Sequence, residues 1–297
     1  MIIKKFLITG GAGFIGTNLT NFLVECGQEV VVVDDLSAGD QIRLPKEVIF
    51  HKIDVRDQHL LEKATEGVDV IVHLAALPKV QYSIDCPTES HDVNVNGTLS
   101  VLEAAKTAGV KRVVFAASSA AYGDQETLPL STDLPVDPKS PYALQKFMGE
   151  GLMKLWSNLY NVETVSLRFF NVYGPYFDPN GPYALVIGRF LNLKESGEPL
   201  TITGDGEQTR DFIHVHDVVN AIFKSSVNPN VGHGEVFNIG SGKQTSVNNL
   251  AKMIGGEIEY VAPRHEPRHT LADISKTIEQ LEWEPEISLE AGIAELL

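Results

Sequence analysis

Tyr142 and Lys146 stand one helical turn apart in Tyr142-Ala-Leu-Gln-Lys146, a spacing that puts both side chains on one helix face. The segment opens after Ser140-Pro141, a pair suited to a helix start. A free tyrosine is a poor base at neutral pH, because its pKa is about 10. A neighbouring fixed positive charge favours the phenolate and lowers that value, which makes the pair a proton-transfer device. Tyr-x-x-x-Lys also arises on helix surfaces without any chemical role, so the pair needs company. Upstream, Ala116-Ala-Ser-Ser-Ala-Ala-Tyr-Gly123 ends an apolar β-run, and Ser118 there is placed to hydrogen-bond a substrate hydroxyl.

A second group of residues lies near the start of the chain. In Phe6-Leu-Ile-Thr-Gly-Gly-Ala-Gly-Phe-Ile-Gly16 an apolar run too short for a helix meets a glycine-rich turn and then an amphipathic segment. Gly10, Gly13 and Gly16 are three apart, and Gly11-x-Gly13-x-x-Gly16 fits the dinucleotide fingerprint. Absent side chains let backbone N–H groups close on a pyrophosphate at a helix N-terminus. Glycines also serve ordinary turns, and context decides. Phe14 to Cys26 reads as a helix stopped by Gly27, and Glu29 to Val33 as a buried strand ending in Asp34-Asp35. Strand, glycine turn, helix, strand, acid is that context. Asp34 is placed to accept ribose hydroxyls and repel a 2′-phosphate, so NAD is expected rather than NADP. No Gly-Lys-Ser/Thr follows, which argues against a P-loop.

The elements that must hold these groups continue the alternation. Strands are expected at Val48–Ile53, Val68–Leu74, Arg112–Ala117 and Thr164–Phe169, with helices near His91–Ala108 and Tyr142–Tyr160. This predicts an α/β, Rossmann-type doubly wound parallel sheet whose ligands collect at the strands' C-terminal edge. Beyond Asn171 the rhythm breaks at Tyr173-Gly-Pro-Tyr-Phe-Asp-Pro-Asn-Gly-Pro182. Later pieces are short: helices near Leu185–Glu195 and Val215–Ser226, strands near Leu200–Ile202 and Val236–Ile239. The expected division is a cofactor domain over 1–171, with sheet and helix returns near 205–240, and an interleaved α/β substrate lobe over 172–297. A formal charge of −15 argues against a nucleic-acid partner, which needs a basic face. Two cysteines without metal-ligand spacing, no signal-peptide layout and no membrane-length apolar run suggest a cytoplasmic protein with no membrane partner.

Taken together, Thr9-Gly-Gly-Ala-Gly-Phe-Ile-Gly16, Asp34-Asp-Leu-Ser37, Asp54-Val55, His73-Leu-Ala-Ala76, Ser118-Ser119, Tyr142-x-x-x-Lys146, Arg168-Phe-Phe-Asn-Val-Tyr-Gly-Pro175 and Arg210-Asp-Phe-Ile-His-Val-His-Asp217 resemble the extended short-chain dehydrogenase/reductases. Within them the likeness is to nucleotide-sugar epimerases and dehydratases, over essentially the whole chain. The resemblance implies that Tyr142 takes the proton of a sugar 4-hydroxyl while C4 gives hydride to NAD, that Ser118 assists, and that Lys146 holds the nicotinamide ribose and tunes Tyr142. It implies a cofactor site of Gly10, Gly13, Phe14, Ile15, Gly16, Asp34, Asp35, Leu36, Ser37, Asp54, Val55, Leu74, Ala75, Ala76, Tyr142 and Lys146. Related dehydratases carry an Asp-Glu pair just after the catalytic Ser or Thr, and decarboxylases a Glu; this chain has Ser119 and Ala120. Epimerisation through a transient 4-keto sugar is therefore expected.

For a UDP-sugar the resemblance implies Ser118, Tyr142, Asn171, Val186, Thr201, Thr203, Arg210, Arg264 and Thr270. Asn171 and Arg210 match positions near the diphosphate. Arg264 matches a second diphosphate arginine, in a turn one residue shorter than the family's. Strand residues Thr201 to Thr203 offer backbone to a uracil. Thr270 matches the position bordering the sugar's 2-substituent, where a small residue leaves room for an N-acetyl group. UDP-GlcNAc/UDP-GalNAc, beside or in place of UDP-Glc/UDP-Gal, is the substrate expected. Another nucleotide-sugar modifier, such as a UDP-uronic acid epimerase, a decarboxylase or a reductase, stays open, as does a non-catalytic NAD-binding sensor. The two long helices are expected to pair in a homodimer, although their apolar faces could equally cover their own sheet. No metal is expected, because His214 and His216 read as alternating across a strand toward opposite faces, without a third ligand, and Glu266 and His269 join neither.

Overall fold

The computed structural model describes residues 3–177, 186–263 and 267–297. Its first half runs β1 (Lys5–Thr9), α1 (Phe14–Glu25), β2 (Glu29–Asp34), β3 (Ile49–Lys52), α2 (Gln58–Ala64), β4 (Val70–His73), α3 (Val80–Asp85), α4 (Pro87–His91), α5 (Gly97–Ala108), β5 (Arg112–Ser118), α6 (Pro141–Tyr160) and β6 (Glu163–Phe169). The second half adds β7 (Asn171–Tyr173), α7 (Val186–Glu195), β8 (Leu200–Thr203), β9 (Thr209–Arg210), β10 (Phe212–His214), α8 (Val215–Val227), β11 (His233–Ile239), β12 (Thr245–Ser246), α9 (Val247–Ile254), β13 (Ile258–Val261), α10 (Ser275–Leu281) and α11 (Leu289–Leu296).

Seven strands form one parallel sheet in the order β11-β6-β5-β4-β1-β2-β3. The chain reverses direction across the sheet between β1 and β4, which opens a crevice at the strands' C-terminal ends. Both faces are covered, and the central strands β1, β2, β4 and β5 are accordingly near-continuous apolar runs, while β6 alternates Thr164, Ser166 and Arg168 with Val165, Leu167 and Phe169. Phe6, Ile8, Val30, Val32, Val70 and Val72 pack with Leu19, Leu23 and the α8 residues Val218 and Ile222. The intervening Leu7, Val31, Val33, Ile71 and Phe115 pack on the other side with Leu61, Leu102, Met153 and Trp156. A separate core of Ile187, Phe190, Leu200, Ile202, Leu250 and Ile293 joins α7, β8, α9 and α11.

The Rossmann-type sheet expected from the sequence is present. The helix expected over 91–108 is also present, starting earlier, at Pro87, and widened by a π-helical turn at Asp92–Asn96 between α4 and α5. That turn carries Asn94 inward, where the side chain accepts from Leu77 N–H at 2.8 Å and donates to Leu77 O at 3.1 Å. A π-turn widens the helix by one residue and so re-aims a side chain that a regular helix would point elsewhere.

Candidate active site

The sheet register lines up the groups singled out in the sequence. Thr9 pairs with Val33 and with His73, His73 with Phe115, and Ser118 with Phe169. The residues just past those ends are Gly10, Asp34, Leu74 to Ala76, Ser118 and Asn171, all on one edge.

The glycine turn is shaped by close approach. Gly10 has φ of +69°, and a Cβ there would stand 2.7 Å from Ala75 N. At Gly16 a Cβ would meet Gly10 O at 2.1 Å, so any larger residue would push helix from strand. Gly13 caps α1 with no side-chain cap bond, which leaves first-turn N–H groups free for an anion. Phe14 packs edge-on against Phe177 at 5.4 Å, and Ile15 is half-buried on the sheet. Asp34 is 7% exposed; its two carboxylate oxygens accept from Ala12 N–H at 3.0 Å and Leu36 N–H at 2.8 Å. Each oxygen retains a lone pair for a ribose hydroxyl. Burial pushes the Asp34 carboxyl up against the pull of those two bonds. Asp35 instead turns to Ser37, accepting from its N–H at 2.8 Å and its hydroxyl at 2.6 Å. Asp54 is engaged by the Arg56 guanidinium, which holds its carboxyl below the usual range, and Val55 is buried against Gly97. These residues fit an NAD adenosine and pyrophosphate: a cradle without side chains, free N–H donors and a carboxylate for the ribose.

Ala75 is tied down by a relay. Its N–H donates to Thr9 Oγ1 at 3.3 Å, Thr9 Oγ1 meets His73 Nδ1 at 2.7 Å, and His73 Nε2 meets Thr98 Oγ1 at 3.0 Å. Thr98 donates its own proton to Asn94 O at 2.7 Å, so it accepts from His73 Nε2–H. Burial, with Lys146 nearby, pulls the His73 pKa down to about 3.

Ser140 caps α6 by accepting from Ala143 N–H at 3.2 Å, with Pro141 at the first helical position. One turn later Lys146 is 4% exposed, with Nζ donating to Ala116 O at 2.7 Å and lying 4.9 Å from the Phe115 ring centre. Two donors of its ammonium remain. Burial pulls its pKa down to about 7. Burial pushes the Tyr142 phenol up, and a side-chain hydrogen bond with Ser118 pulls it back. Burial prevails, so the phenol keeps its proton. Ser118 Oγ also accepts from Ala120 N–H at 3.2 Å, which fixes it at the strand end.

The substrate-side residues sit on the second half of the chain. Asn171 opens β7 and donates from Nδ2 to Asp211 O at 3.0 Å. Arg210, on β9, is braced by the Thr209 carbonyl at 2.9 Å. Thr201 and Thr203 share one face of β8, opposite Leu200 and Ile202. Val186 begins α7 and is half-buried. Thr270 lies on a strap joined to β9 through its N–H to Thr209 O at 3.2 Å, and its Oγ1 is buried without a hydrogen-bond partner. Arg264 and Glu266 lie outside the described residues.

The family model for the NAD dependent epimerase/dehydratase family matches residues 6–240. The chain belongs to this family. A putative UDP-glucose 4-epimerase of Methanocaldococcus jannaschii is 40% identical over 97% of this chain and 95% of its own. A UDP-glucose 4-epimerase of Thermotoga maritima, solved with UDP-glucose, superposes with a TM-score of 0.94 at 35% identity, over 98% of this chain and 97% of that one. A UDP-N-acetylglucosamine 4-epimerase of Methanobrevibacter ruminantium, in complex with UDP-N-acetylmuramic acid, gives 0.94 at 34% identity, over 100% and 97%.

Within this epimerase/dehydratase-family chain, several buried groups that serve the site carry no sequence signal. Ser83 Oγ accepts from Tyr142 N–H at 3.1 Å, and Gln145 Oε1 accepts from Ser90 Oγ and Asn94 Nδ2, each at 2.8 Å. These bonds brace the 77–94 segment against the helix that carries Tyr142. Asp211 is fully buried, and its carboxylate accepts from Ser241 N–H at 2.6 Å, Ser241 Oγ at 2.7 Å, Gly242 N–H at 3.0 Å and Ala272 N–H at 3.0 Å. It ties the strap bearing Thr270 to the strands bearing Arg210 and Asn171. The sequence reading of His214 and His216 needs correction. They do not alternate across a strand, because the chain turns helical at Val215; His214 closes β10, His216 lies in α8, and their rings meet edge-to-face at 4.9 Å.

Proposed function

We propose that this protein is an NAD-dependent 4-epimerase of UDP-hexoses, working through a transient 4-keto sugar. The observation that carries the reading is Ser118, Tyr142 and Lys146 gathered at the sheet edge beside the glycine cradle, with Ser119 and Ala120 where an eliminating enzyme needs carboxylates. Tyr142 accepts the proton of the 4-hydroxyl, and Ser118 holds that hydroxyl. Lys146, fixed by Ala116 O, spends its remaining donors on the nicotinamide ribose and keeps positive charge near the phenol. Bound NAD supplies the reversible hydride acceptor. Because the hydride returns to the other face of the same sugar, the cofactor is not consumed.

Asn171 and Arg210 take the diphosphate, and the Thr201–Thr203 face of β8 takes the uracil. The UDP-glucose and UDP-N-acetylmuramic acid held by the two relatives support a UDP-sugar pocket that tolerates 2-substituents. The small Thr270 favours an N-acetylated sugar. Residues 1–171, with returns near 205–240, form the cofactor unit, and 172–297 the substrate lobe. A homodimer forms through α5 and α6: Leu144, Phe147, Met148, Leu155 and Leu159 leave an exposed apolar stripe on α6. Among the described residues no helix is long and apolar enough to cross a membrane, and the protein is read as cytoplasmic. The test is incubation of purified protein with UDP-Glc, UDP-Gal, UDP-GlcNAc, UDP-GalNAc and UDP-glucuronic acid without added NAD. Interconversion of C4 epimers of the neutral sugars supports the reading; CO₂ release or net NADH production overturns it.

A further inference from the structure

We propose that His214, His216 and Glu295 form a binding site for one divalent transition-metal ion of the zinc, cobalt or nickel class, which ties the last helix to the β10–α8 corner. One ligand atom from each residue lies within 4.8 Å of the other two. His214 Nε2 stands 3.4 Å from a Glu295 carboxylate oxygen. Ligand atoms on a tetrahedral zinc, at about 2.0–2.1 Å from the metal, are about 3.3 Å apart, so this pair is already at ligating separation. His216 and Glu295 are exposed, and rotation of those two side chains closes the remaining distance.

Two observations point to a cation here. His214 is fully buried, and its Nε2 makes no aligned hydrogen bond, its neighbour being the Glu295 carboxylate at 3.4 Å; the Tyr173 hydroxyl, on a ring edge-to-face with His214 at 5.2 Å, is a second buried polar atom without a hydrogen bond. Buried polar atoms are nearly always satisfied, and two such atoms at one corner suit a bound cation. Glu295 arrives because α11 packs unusually close: a Cβ at Gly292 would stand 2.3 Å from the Tyr173 hydroxyl.

The competing arrangement is a plain hydrogen bond. His214 Nδ1 accepts from His216 N–H at 3.3 Å, which puts the ring proton on Nε2 facing Glu295. Metal ligation through Nε2 moves that proton to Nδ1 and gives up the long cap bond, with no net proton released from the ring. The site shares no residue with the Ser118–Tyr142–Lys146 centre, so it stands or falls apart from the epimerase reading.

Chelator-treated protein titrated with Co²⁺ tests the proposal. The expected result is one equivalent bound, with visible ligand-field bands of a low-coordinate ion, and a rise in Tm on Zn²⁺ addition. His216→Ala and Glu295→Gln, both at exposed positions, should each weaken Co²⁺ binding about tenfold or more and remove the Zn²⁺ effect on Tm. Epimerase turnover of the metal-free protein should be unchanged in both. Absence of the Co²⁺ bands in the wild-type protein, or their persistence in the His216→Ala/Glu295→Gln double variant, overturns it.

Discussion

Replacing Tyr142 with phenylalanine removes one oxygen and leaves the ring in its place. General acid–base catalysis contributes about 10²–10⁴ in rate, so Tyr142→Phe should lower kcat by that factor in a coupled UDP-sugar assay. The NAD content of the purified variant should be unchanged, since the cradle at Gly10 to Gly16 and Asp34 is untouched. His73 makes a different prediction. Its pKa is about 3 folded against 6.5 as a free side chain, so between those values the unfolded chain binds one proton more than the folded one. The stability that neutral His73 contributes is complete above pH 6.5 and is lost as the pH falls toward 3, by about 1.4 kcal/mol per unit. Urea melts at pH 7 and pH 5 should show a smaller acid loss in His73→Asn than in the wild-type protein. Tyr142, Lys146, Ser118 and Asp34 were legible in the sequence because each is set by short-range spacing within a strand, turn or helix. Asn94, Gln145 and Asp211 were not, because their partners are long-range and no local pattern encodes a hydrogen bond across the fold.

Among the elements, the strap at 267–273 is the one whose placement the substrate would feel most. It is a length of extended chain, held at Ala272 N–H by the Asp211 carboxylate and at Leu271 O by Leu130 N–H at 2.7 Å. Asp211→Asn exchanges a carboxylate oxygen for a donor facing donors. Hydrogen bonds to a charged group contribute about 1.5–3 kcal/mol, so KM for the UDP-sugar should rise about tenfold or more while kcat falls much less. Steady-state kinetics with UDP-GlcNAc would read the split, and retained NAD would separate it from general unfolding. Thr270→Tyr on the same strap should abolish turnover of UDP-GlcNAc and spare UDP-glucose, checked by resolving products from an equimolar mixture. Periodicity located the strands of the first half and the longer helices α1, α5 and α6, whose apolar runs and amphipathic repeats are local, but not the short α3 and α4. It missed the π-turn at Asp92–Asn96, which presents Asn94 to Leu77, and although it placed a helix from Val215 it still read His214 and His216 as alternating on a strand.

At the scale of the molecule, the apolar stripe on α6 makes a claim about assembly. Leu155→Glu with Leu159→Glu places two charges on that face and should give a monomer by light scattering, with NAD still bound. The sheet makes a claim about time. Its edge strand β11 is drawn from residues 233–239 and pairs with β6 along its length. During synthesis, then, six strands of the sheet leave the ribosome with β6 as an open edge, and some sixty residues, with α8 among them, must follow before the seventh can dock. The nascent chain passes through a stage with the glycine turn, Asp34 and Lys146 already made and its sheet unfinished. A chain ended at residue 171 should aggregate or fail to retain NAD, and one extended past Ile239 should recover solubility, so that the six early strands report on the arrival of a late seventh.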